Sequence, residues 1–360
     1  MSRGGLEVLI MAGGTGGHIF PGLAVADCLR QRGVPVRWLG ARGGMECQKV
    51  AAAGIPIDVV DISGLRGKGL ARWLALPWRL LRAVAQAMRV IGRHRPRCAV
   101  SFGGYAAGPG GLAARLRGVP LLVHEQNRIP GMTNRVLAKM AGRVLQAFPG
   151  SWPEARDAVT CGNPVRQAVV DLEAPAQRMA GREGPVRLLV TGGSQGAMAL
   201  NRLVPAALGL LRGETEFEVR HQCGRNRAEE TRAAYGDYPA DVTEFIEDMA
   251  GAYAWADLVV CRSGAMSVSE VAAAGIAAIF VPFPHAVDDH QTKNAEYLVE
   301  SGGALLLPEA GASPDTLAEL LSSLAADRGR LLDMATRARA CAVPDAARRV
   351  ADLCMEYAAT

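Results

Sequence analysis

Long apolar runs, paired cysteines and aromatic residues are what this sequence has little of. No run approaches the ~18–20 apolar residues that span a bilayer, and residues 1–9 lack the apolar stretch of a signal peptide, so we expect a cytoplasmic protein. The eight cysteines are scattered without a CxxC pair, which favours ordinary reduced thiols over a disulfide framework or a zinc site. With 49% hydrophobic and 5% aromatic residues among 360, the composition is typical of an α/β enzyme of two or three domains.

Acidic residues are missing from a long stretch of the first half. None occurs between Asp61 and Glu125, where eleven basic residues stand. Residues 1–165 carry 22 Lys and Arg against 8 Asp and Glu, a net +14, whereas residues 166–360 carry 18 against 27, a net −9. Because a field of one sign attracts polyanions, the candidate partners of the first half are nucleic acid, anionic lipid and a phosphorylated substrate.

Short β-rich runs alternate with helical stretches along the chain, which predicts parallel sheets with right-handed crossovers. Each half opens on a strand, a glycine-rich turn and a helix, at "LIMAGGTGGH" and "LLVTGGSQGA". We predict an α/β fold of two Rossmann-like, doubly wound parallel-sheet domains facing a deep cleft. The predicted N-terminal domain is 1–163 and the C-terminal domain 164–340. A helix in 341–360 is predicted to pack back on one of them, with the N-terminal domain as first candidate.

Neither glycine-rich loop is a dinucleotide fingerprint. G-x-G-x-x-G needs a third glycine for close helix–strand packing, and counting from Gly14 puts Ile19 there. What remains is either a loop whose amides approach an anion at the start of the next helix, or a tight turn that binds nothing. Two such loops at equivalent places favour the anion, and the failed fingerprint disfavours an NAD(P) oxidoreductase.

A series of motifs is similar to those of one enzyme family. In chain order they are "GGTGGHIFPGLAVA", "ISGLRGKG", "GGYAAGPGGLAA", "HEQN", "GNPVR", "GGSQGA", "EFIEDMA", "RSGAMSVSE" and "HQTKNA". Together they resemble the MurG family of peptidoglycan N-acetylglucosaminyltransferases. The resemblance implies a GT-B fold, UDP-GlcNAc as donor, lipid I (undecaprenyl-pyrophosphoryl-MurNAc-pentapeptide) as acceptor and lipid II as product, with inversion. It also implies peripheral attachment to the cytoplasmic face of the inner membrane, with other cell-wall synthesis proteins as candidate partners.

The resemblance places UDP-GlcNAc on the C-terminal domain. Glu270 would accept hydrogen bonds from the ribose hydroxyls, and Arg166 would face the leaving diphosphate; the alternatives are a helix-face acid and a linker salt bridge. The run "PHAVDDHQTKNA" departs from the family's usual "QxxRQQxxNA", and Gln291 is the glutamine aligned with it. The predicted substrate-binding residues are Thr15, Gly16, Gly17, Asn127, Arg166, Ser194, Ile246, Ala265, Met266, Ser267, Val268, Ser269, Glu270, Gln291 and Asn294.

An inverting transfer needs a base for the proton of the acceptor 4-hydroxyl. His18 follows the first glycine-rich loop, and the ordinary histidine pKa of about 6.5 suits a base; the alternative is that His18 only orients the loop. Glu125, in "VHEQN", is the competing base or the group that orients His18. No D-x-D motif occurs in the chain. We therefore expect amides, a helix dipole and Arg166 to neutralise UDP, with no metal ion and no cofactor.

One segment of the basic half combines leucine, tryptophan and arginine. Its members are Leu70, Trp73, Leu74, Trp78 and Leu81 at helical spacing, flanked by Arg72, Arg79 and Arg82. The composition is typical of an interfacial segment on an anionic phospholipid surface, the alternative being a core-facing helix kinked or restarted at Pro77. Nucleic acid is disfavoured, because no helix-turn-helix or RNP pattern occurs. A UDP-GlcNAc 2-epimerase or another UDP-sugar transferase stays an alternative for the donor half.

Overall fold

The computed structural model describes residues 6–62, 76–193, 196–284 and 289–359. The chain forms two compact units, one of Met1–Arg166 with Asp345–Thr360 and one of Gln167–Pro344. Each unit is built on one sheet, and the strand pairs of both sheets are parallel. The alternation of strands and helices in the sequence predicts this α/β architecture.

The sheet of the first unit has seven strands. They are β1 (Val8–Ala12), β2 (Val36–Ala41), β3 (Ile57–Val60), β4 (Cys98–Gly103), β5 (Leu121–Glu125), β6 (Arg143–Gln146) and β7 (Val159–Thr160). Their order is β3-β2-β1-β4-β5-β6-β7. Because the order reverses between β1 and β4, the loops after these two strands diverge at the carboxyl edge of the sheet. In open α/β sheets ligands bind at such a switch point.

Helices follow most of these strands. They are α1 (Gly16–Gln31), α2 (Met45–Ala52), α3 (Leu76–His94), α4 (Ala107–Leu116) and α5 (Met132–Leu137). Pro77 is the second described residue of α3. Residues 63–75, which precede this helix, lie outside the described part of the chain.

The second unit repeats the plan with six strands. They are β8 (Val186–Thr191), β9 (Phe217–Gln222), β10 (Ala240–Thr243), β11 (Leu258–Cys261), β12 (Ala277–Phe280) and β13 (Ala304–Leu306). The order β10-β9-β8-β11-β12-β13 puts the switch point between β8 and β11. Its helices are α6 (Gln167–Val170), α7 (Pro175–Arg178), α8 (Met198–Leu210), α9 (Ala228–Tyr235), α10 (Met249–Trp255), α11 (Ala265–Ala274), α12 (His290–Val299), α13 (Pro314–Ala325) and α14 (Arg328–Ala340).

The last helix, α15 (Ala346–Ala359), belongs to the first unit. Its apolar face, which includes Val350 and Cys354, is buried in the core beside α1 and the sheet. Tyr357 Oη donates to the carbonyl of Gly142 at 3.2 Å, and Arg97 Nε donates to that of Ala358 at 3.4 Å. Full burial of a valine side chain contributes roughly 1.5–3 kcal/mol, so this face is a substantial part of the unit's stability.

Among the described residues, each unit contains one buried, neutral histidine. His124 is 0% exposed and donates from Nε2 to the carbonyl of Gly162 at 2.9 Å. His221 is 1% exposed, with Nδ1 2.7 Å from Tyr235 Oη and Nε2 3.0 Å from Asn201 Oδ1. Burial disfavours the charged imidazolium and lowers the pKa of both histidines to about 4.

We expect acid to destabilise both units well above the pH at which carboxylates titrate. An unfolded histidine has a pKa near 6.5, so between pH 6.5 and 4 the unfolded state binds more protons than the folded state, and stability falls as the pH falls. From pH 7 to 5.5 each buried histidine should remove about 1 kcal/mol from the free energy of unfolding. Urea denaturation across this range measures the loss. His221→Gln should flatten the pH dependence of the second unit's stability; a slope equal to that of wild type would contradict the assignment.

Candidate active site

The first glycine-rich loop (residues 13–17) lies at the switch point of the first sheet. Gly14 has a φ of 89°, and Gly104, in the loop after β4, has a φ of 90°. A Cβ at Gly104 would stand 2.2 Å from the carbonyl oxygen of Gly13. The two loops therefore pack backbone against backbone, and any side chain at Gly104 would separate them.

His18 is oriented by this loop. Its Nδ1 lies 3.2 Å from the carbonyl oxygen of Gly13 and 3.3 Å from Thr15 Oγ1. Because a carbonyl only accepts, this contact assigns the proton of the neutral ring to Nδ1 and the lone pair to Nε2. The Nε2 edge of the ring runs along Gly103, where a Cβ would come within 3.3 Å of Nε2. The arrangement holds a basic nitrogen at the carboxyl edge of the sheet.

The predicted contact residues Thr15, Gly16 and Gly17 form the start of α1. Thr15 is the N-cap, and its side chain makes no capping hydrogen bond. The first turn contains no acidic residue. Since the amides of a first helical turn lack helical partners, this end of α1 suits an anion.

Glu125 is buried and fully engaged by its own loop. Its Oε1 accepts from the backbone N and from Nδ2 of Asn127, at 2.9 and 3.0 Å. Its Oε2 accepts from the backbone N of Gly131 at 3.0 Å and from Asn134 Nδ2 at 2.9 Å. These four donors occupy both carboxylate oxygens and hold residues 125–134 in one conformation. This geometry fits an organiser of the loop better than a group that accepts a proton from substrate.

Arg166, the last residue of the first unit's main segment, packs against α1. Its guanidinium carbon lies 5.6 Å from the centroid of the Phe20 ring, a cation–π distance.

Asn127 has a second contact besides Glu125, because its backbone carbonyl also accepts from Ser151 Oγ at 3.1 Å. Asn134 was not predicted from the sequence, since a single asparagine inside a short helix carries no spacing signal.

In the second unit the start of α11 lies at the switch point, directly after β11. The N-cap is Gly264, no side chain caps the first amides, and the first turn contains no acidic residue. The small side chains of this turn let an anion approach its amides. Of the predicted contacts, Ala265, Met266 and Val268 are 7%, 9% and 0% exposed, so any ligand contact must come from their backbone. Ser267 and Ser269 are partly exposed.

Three polar residues of the predicted donor site are held by neighbours. Glu270 Oε2 accepts from Tyr253 Oη at 3.2 Å. Gln291 Oε1 accepts from the backbone N of Phe283 at 2.9 Å, so its NH₂ group is the part that can serve a ligand. Asn294 is 0% exposed and its Nδ2 donates to the carbonyl of Ser263 at 3.4 Å. The buried side chain of Asn294 therefore stabilises the turn that precedes α11.

Arg262 is a further residue that sequence reasoning missed. Its Nη1 donates to the carbonyls of Val281 and Pro282, both at 3.0 Å, and lies 2.6 Å from Glu309 Oε2. These contacts fix the segment after β12 beside the start of α11. The run "VTEFI" (242–246) predicts a strand up to Ile246, but β10 ends three residues earlier, at Thr243, and Ile246 is half-buried in the loop that follows. Ser194 lies outside the described residues.

The Leu, Trp and Arg segment is only partly described. Trp78 is 73% and Leu81 64% exposed on the first turns of α3. Arg82 Nη2 lies 3.2 Å from Asp61 Oδ2, and Arg79 is half-buried. The other members, Leu70, Arg72, Trp73 and Leu74, lie outside the described residues. The two apolar side chains that can be placed face away from the core, which contradicts a core-facing helix at these positions.

No helix among the described residues is long and apolar enough to cross a bilayer. In the same residues, no three His, Cys, Asp or Glu side chains cluster in a way that could hold a metal ion.

Both units match models of one glycosyltransferase family. Residues 8–146 match the glycosyltransferase family 28 N-terminal domain, and residues 187–350 match the glycosyltransferase family 28 C-terminal domain. A UDP-GlcNAc 2-epimerase from Neisseria meningitidis, solved bound to UDP-GlcNAc, is 12% identical with a TM-score of 0.68 over 96% of this chain and 99% of that one. At that identity the likeness concerns the fold alone.

Two other comparisons are much closer. The UDP-N-acetylglucosamine–N-acetylmuramyl-(pentapeptide) pyrophosphoryl-undecaprenol N-acetylglucosamine transferase of Xanthomonas axonopodis pv. citri is 58% identical over 98% of this chain and 82% of its own length. The crystal structure of Acinetobacter baumannii MurG is 43% identical, with a TM-score of 0.86 over 98% of this chain and 99% of that one. The predicted GT-B fold is confirmed by this match. The chain belongs to the MurG family of glycosyltransferases.

Proposed function

We propose that this chain transfers GlcNAc from UDP-GlcNAc to the 4-hydroxyl of MurNAc in lipid I, with inversion, and so forms lipid II. The observation that carries this function is the near-full-length identity to an N-acetylglucosamine transferase whose name specifies both sugars and the lipid pyrophosphate. The oriented His18 and the uncapped start of α11 supply the two chemical functions that such a transfer needs, a base and an anion site.

His18 is proposed as the base. Nε2 takes the proton of the 4-hydroxyl while that oxygen attacks C1 of GlcNAc from the face opposite UDP. The bond from C1 to the diphosphate oxygen breaks, and UDP leaves with the electron pair. Glu125 is assigned to organising the loop that carries Asn127, because all four of its hydrogen bonds lie within residues 125–134.

The departing UDP needs neutralisation that a metal ion supplies in other transferases. We assign this to the amides and dipole of α11, with Arg166 as the cation. Glu270 would accept from the ribose hydroxyls, the backbone at Ile246 would meet the uracil edge, and the NH₂ group of Gln291 would donate to a sugar hydroxyl.

The test is the transfer of labelled GlcNAc from UDP-GlcNAc to a short-chain lipid I analogue. Product whose formation requires both substrates supports the function. Conversion of UDP-GlcNAc at C2 without acceptor would favour the epimerase alternative instead. No product with either assay would refute the transferase.

We further propose that the part of α3 around Trp78 and Leu81 docks the enzyme on an anionic phospholipid surface, at the cytoplasmic face of the inner membrane. Trp78 and Leu81 lie one helical turn apart and are among the most exposed large apolar side chains described. The surrounding arginines add about 1 kcal/mol each near an anionic leaflet.

Replacing Trp78 and Leu81 together with Ser should therefore lower binding to cardiolipin-containing vesicles at least about 10-fold, because two interfacial side chains are removed. Co-sedimentation measures the binding, and UDP affinity should not change. The matched control replaces Met198 and Leu210, which are 44% and 53% exposed on the second unit, with Ser. Equal vesicle binding by the two double variants would exclude this docking site.

A further inference from the structure

A buried carboxylate lies directly behind the first glycine-rich loop. Glu46, the second residue of α2, is 0% exposed. No basic side chain of the described residues forms an ion pair with it. A buried carboxylate without a counter-charge is costly, and an apolar side chain would serve packing better. The contacts that Glu46 makes should therefore explain why a charge is there.

Those contacts join two separate segments. Oε1 of Glu46 accepts from the backbone N of Ala41, at the end of β2, at 2.8 Å. Oε2 accepts from the backbone N of Gly14, in the first glycine-rich loop, at 3.2 Å. Its place in the first turn of α2 also favours a negative charge. One carboxylate thus ties the loop after β1 to the neighbouring strand.

Three glycines lie in close contact with the side chain of Glu46. A Cβ at Gly13 would stand 2.2 Å from Oε1, one at Gly40 2.7 Å from Cγ, and one at Gly44 2.4 Å from Oε2 of Glu46. Three segments of backbone therefore close on the carboxylate at distances that only glycine permits. The peptide of Gly13 is enclosed on one side by Glu46 and on the other by Gly104, and its carbonyl accepts from His18.

We propose, on the basis of the transferase function proposed above, that Glu46 is a positioning residue for the proton transfer. Its carboxylate fixes the peptides of Gly13 and Gly14, and the Gly13 carbonyl in turn fixes the tautomer and direction of the His18 ring. The Gly14 amide is committed to Glu46, so the amides that the loop offers to substrate begin at Thr15.

The decisive variant is Glu46→Gln. Glutamine keeps the size of the side chain, but only one of its terminal groups accepts, and its NH₂ would face a backbone N–H. One of the two hydrogen bonds from the backbone amides of Ala41 and Gly14 would therefore be lost, and the first glycine-rich loop would no longer be tied to β2. We expect kcat to fall about 10- to 100-fold, as misplaced catalytic groups do, while KM for UDP-GlcNAc stays within about 3-fold of wild type.

Asp58→Asn is the matched control in the same unit. Asp58 lies 3.2 Å from Arg37 and 3.4 Å from His94, so its replacement removes a half-buried ion pair of the same unit but leaves the loop intact. It should lower Tm and keep kcat. If Glu46→Gln and Asp58→Asn reduced kcat equally, or if Glu46→Gln kept wild-type kcat, the positioning role would be overturned.

Nitrogen NMR of labelled histidine supplies a readout that needs no turnover. The chain contains six histidines, and His18→Ala identifies the His18 signal by its loss. Wild type should show the Nδ1–H tautomer, and Glu46→Gln a mixture of tautomers, with UDP affinity and Tm reporting that the variant is folded. An unchanged His18 spectrum would overturn the inference even if wild type proved to transfer no GlcNAc, which would refute only the proposed function.

Discussion

His18→Ala should lower kcat for GlcNAc transfer about 10²- to 10⁴-fold, the usual contribution of a positioned general base. The loop engages Nδ1, so the proposed mechanism assigns the acceptor hydroxyl to Nε2. In the proposed function His18 does not contact UDP, and UDP affinity should therefore stay within about 3-fold, which places the loss in the chemical step. Steady-state kinetics with a lipid I analogue and calorimetric titration with UDP measure the two quantities.

Two variants make this result interpretable. His94→Ala removes another histidine of the same unit, one that contacts Asp58, and should keep kcat. Glu125→Gln should lower the stability of the 125–134 loop, because one of its donors would then face an NH₂ group. If His18→Ala kept full activity while Glu125→Gln abolished the chemical step without loss of stability, the base would be Glu125.

Glu270→Ala should weaken UDP binding about 10- to 100-fold, because hydrogen bonds from hydroxyls to a charged acceptor contribute about 1.5–3 kcal/mol. Glu270 lies on α11, and Tyr253 Oη holds one of its oxygens in place. If both ribose hydroxyls donate to this carboxylate, the variant should also bind UDP and 2′-deoxy-UDP almost equally, whereas wild type should prefer UDP. Titration of both nucleotides into both proteins forms a double-mutant cycle.

The control for this cycle is Tyr253→Phe. This variant removes the hydroxyl that donates to Glu270 and leaves the carboxylate in place. The preference for UDP over 2′-deoxy-UDP should therefore persist, with a small loss of affinity for UDP. Undiminished preference for UDP over 2′-deoxy-UDP in Glu270→Ala would show that the acid is only a helix-face residue.

The strands and the two glycine-rich loops were predictable because their signals are local. Apolar runs mark buried parallel strands, and glycines mark the turns where the chain needs positive φ, as at Gly14. The boundaries were less predictable. β10 ends at Thr243, so the segment up to Ile246 that the sequence pattern favoured as strand is loop, and the two-residue β7 carried no signal of its own.

The candidate site was predictable where a residue type and a motif coincide. His18 follows a glycine-rich loop and Glu270 closes a motif, and both lie at the expected helices. Asn134 and Arg262 were missed, since their contacts reach 9 and 19 or more residues along the chain without any recurring spacing.

The sequence by itself determined the class of the molecule: local patterns of residue type predict two α/β units and an acid-free basic segment, and the resemblance of its motifs implies a glycosyltransferase family. Only the tertiary structure decided what each polar atom does. Glu125 and Asn294 were predicted to act on substrate, yet one has four donors in its own loop and the other is fully buried. Glu46, 32 residues from Gly14 in the chain, was brought behind the first glycine-rich loop by the pairing of β1 with β2. The physical reason is that a hydrogen bond depends on distance and direction in space, and these are set by how the strands pair and the loops pack.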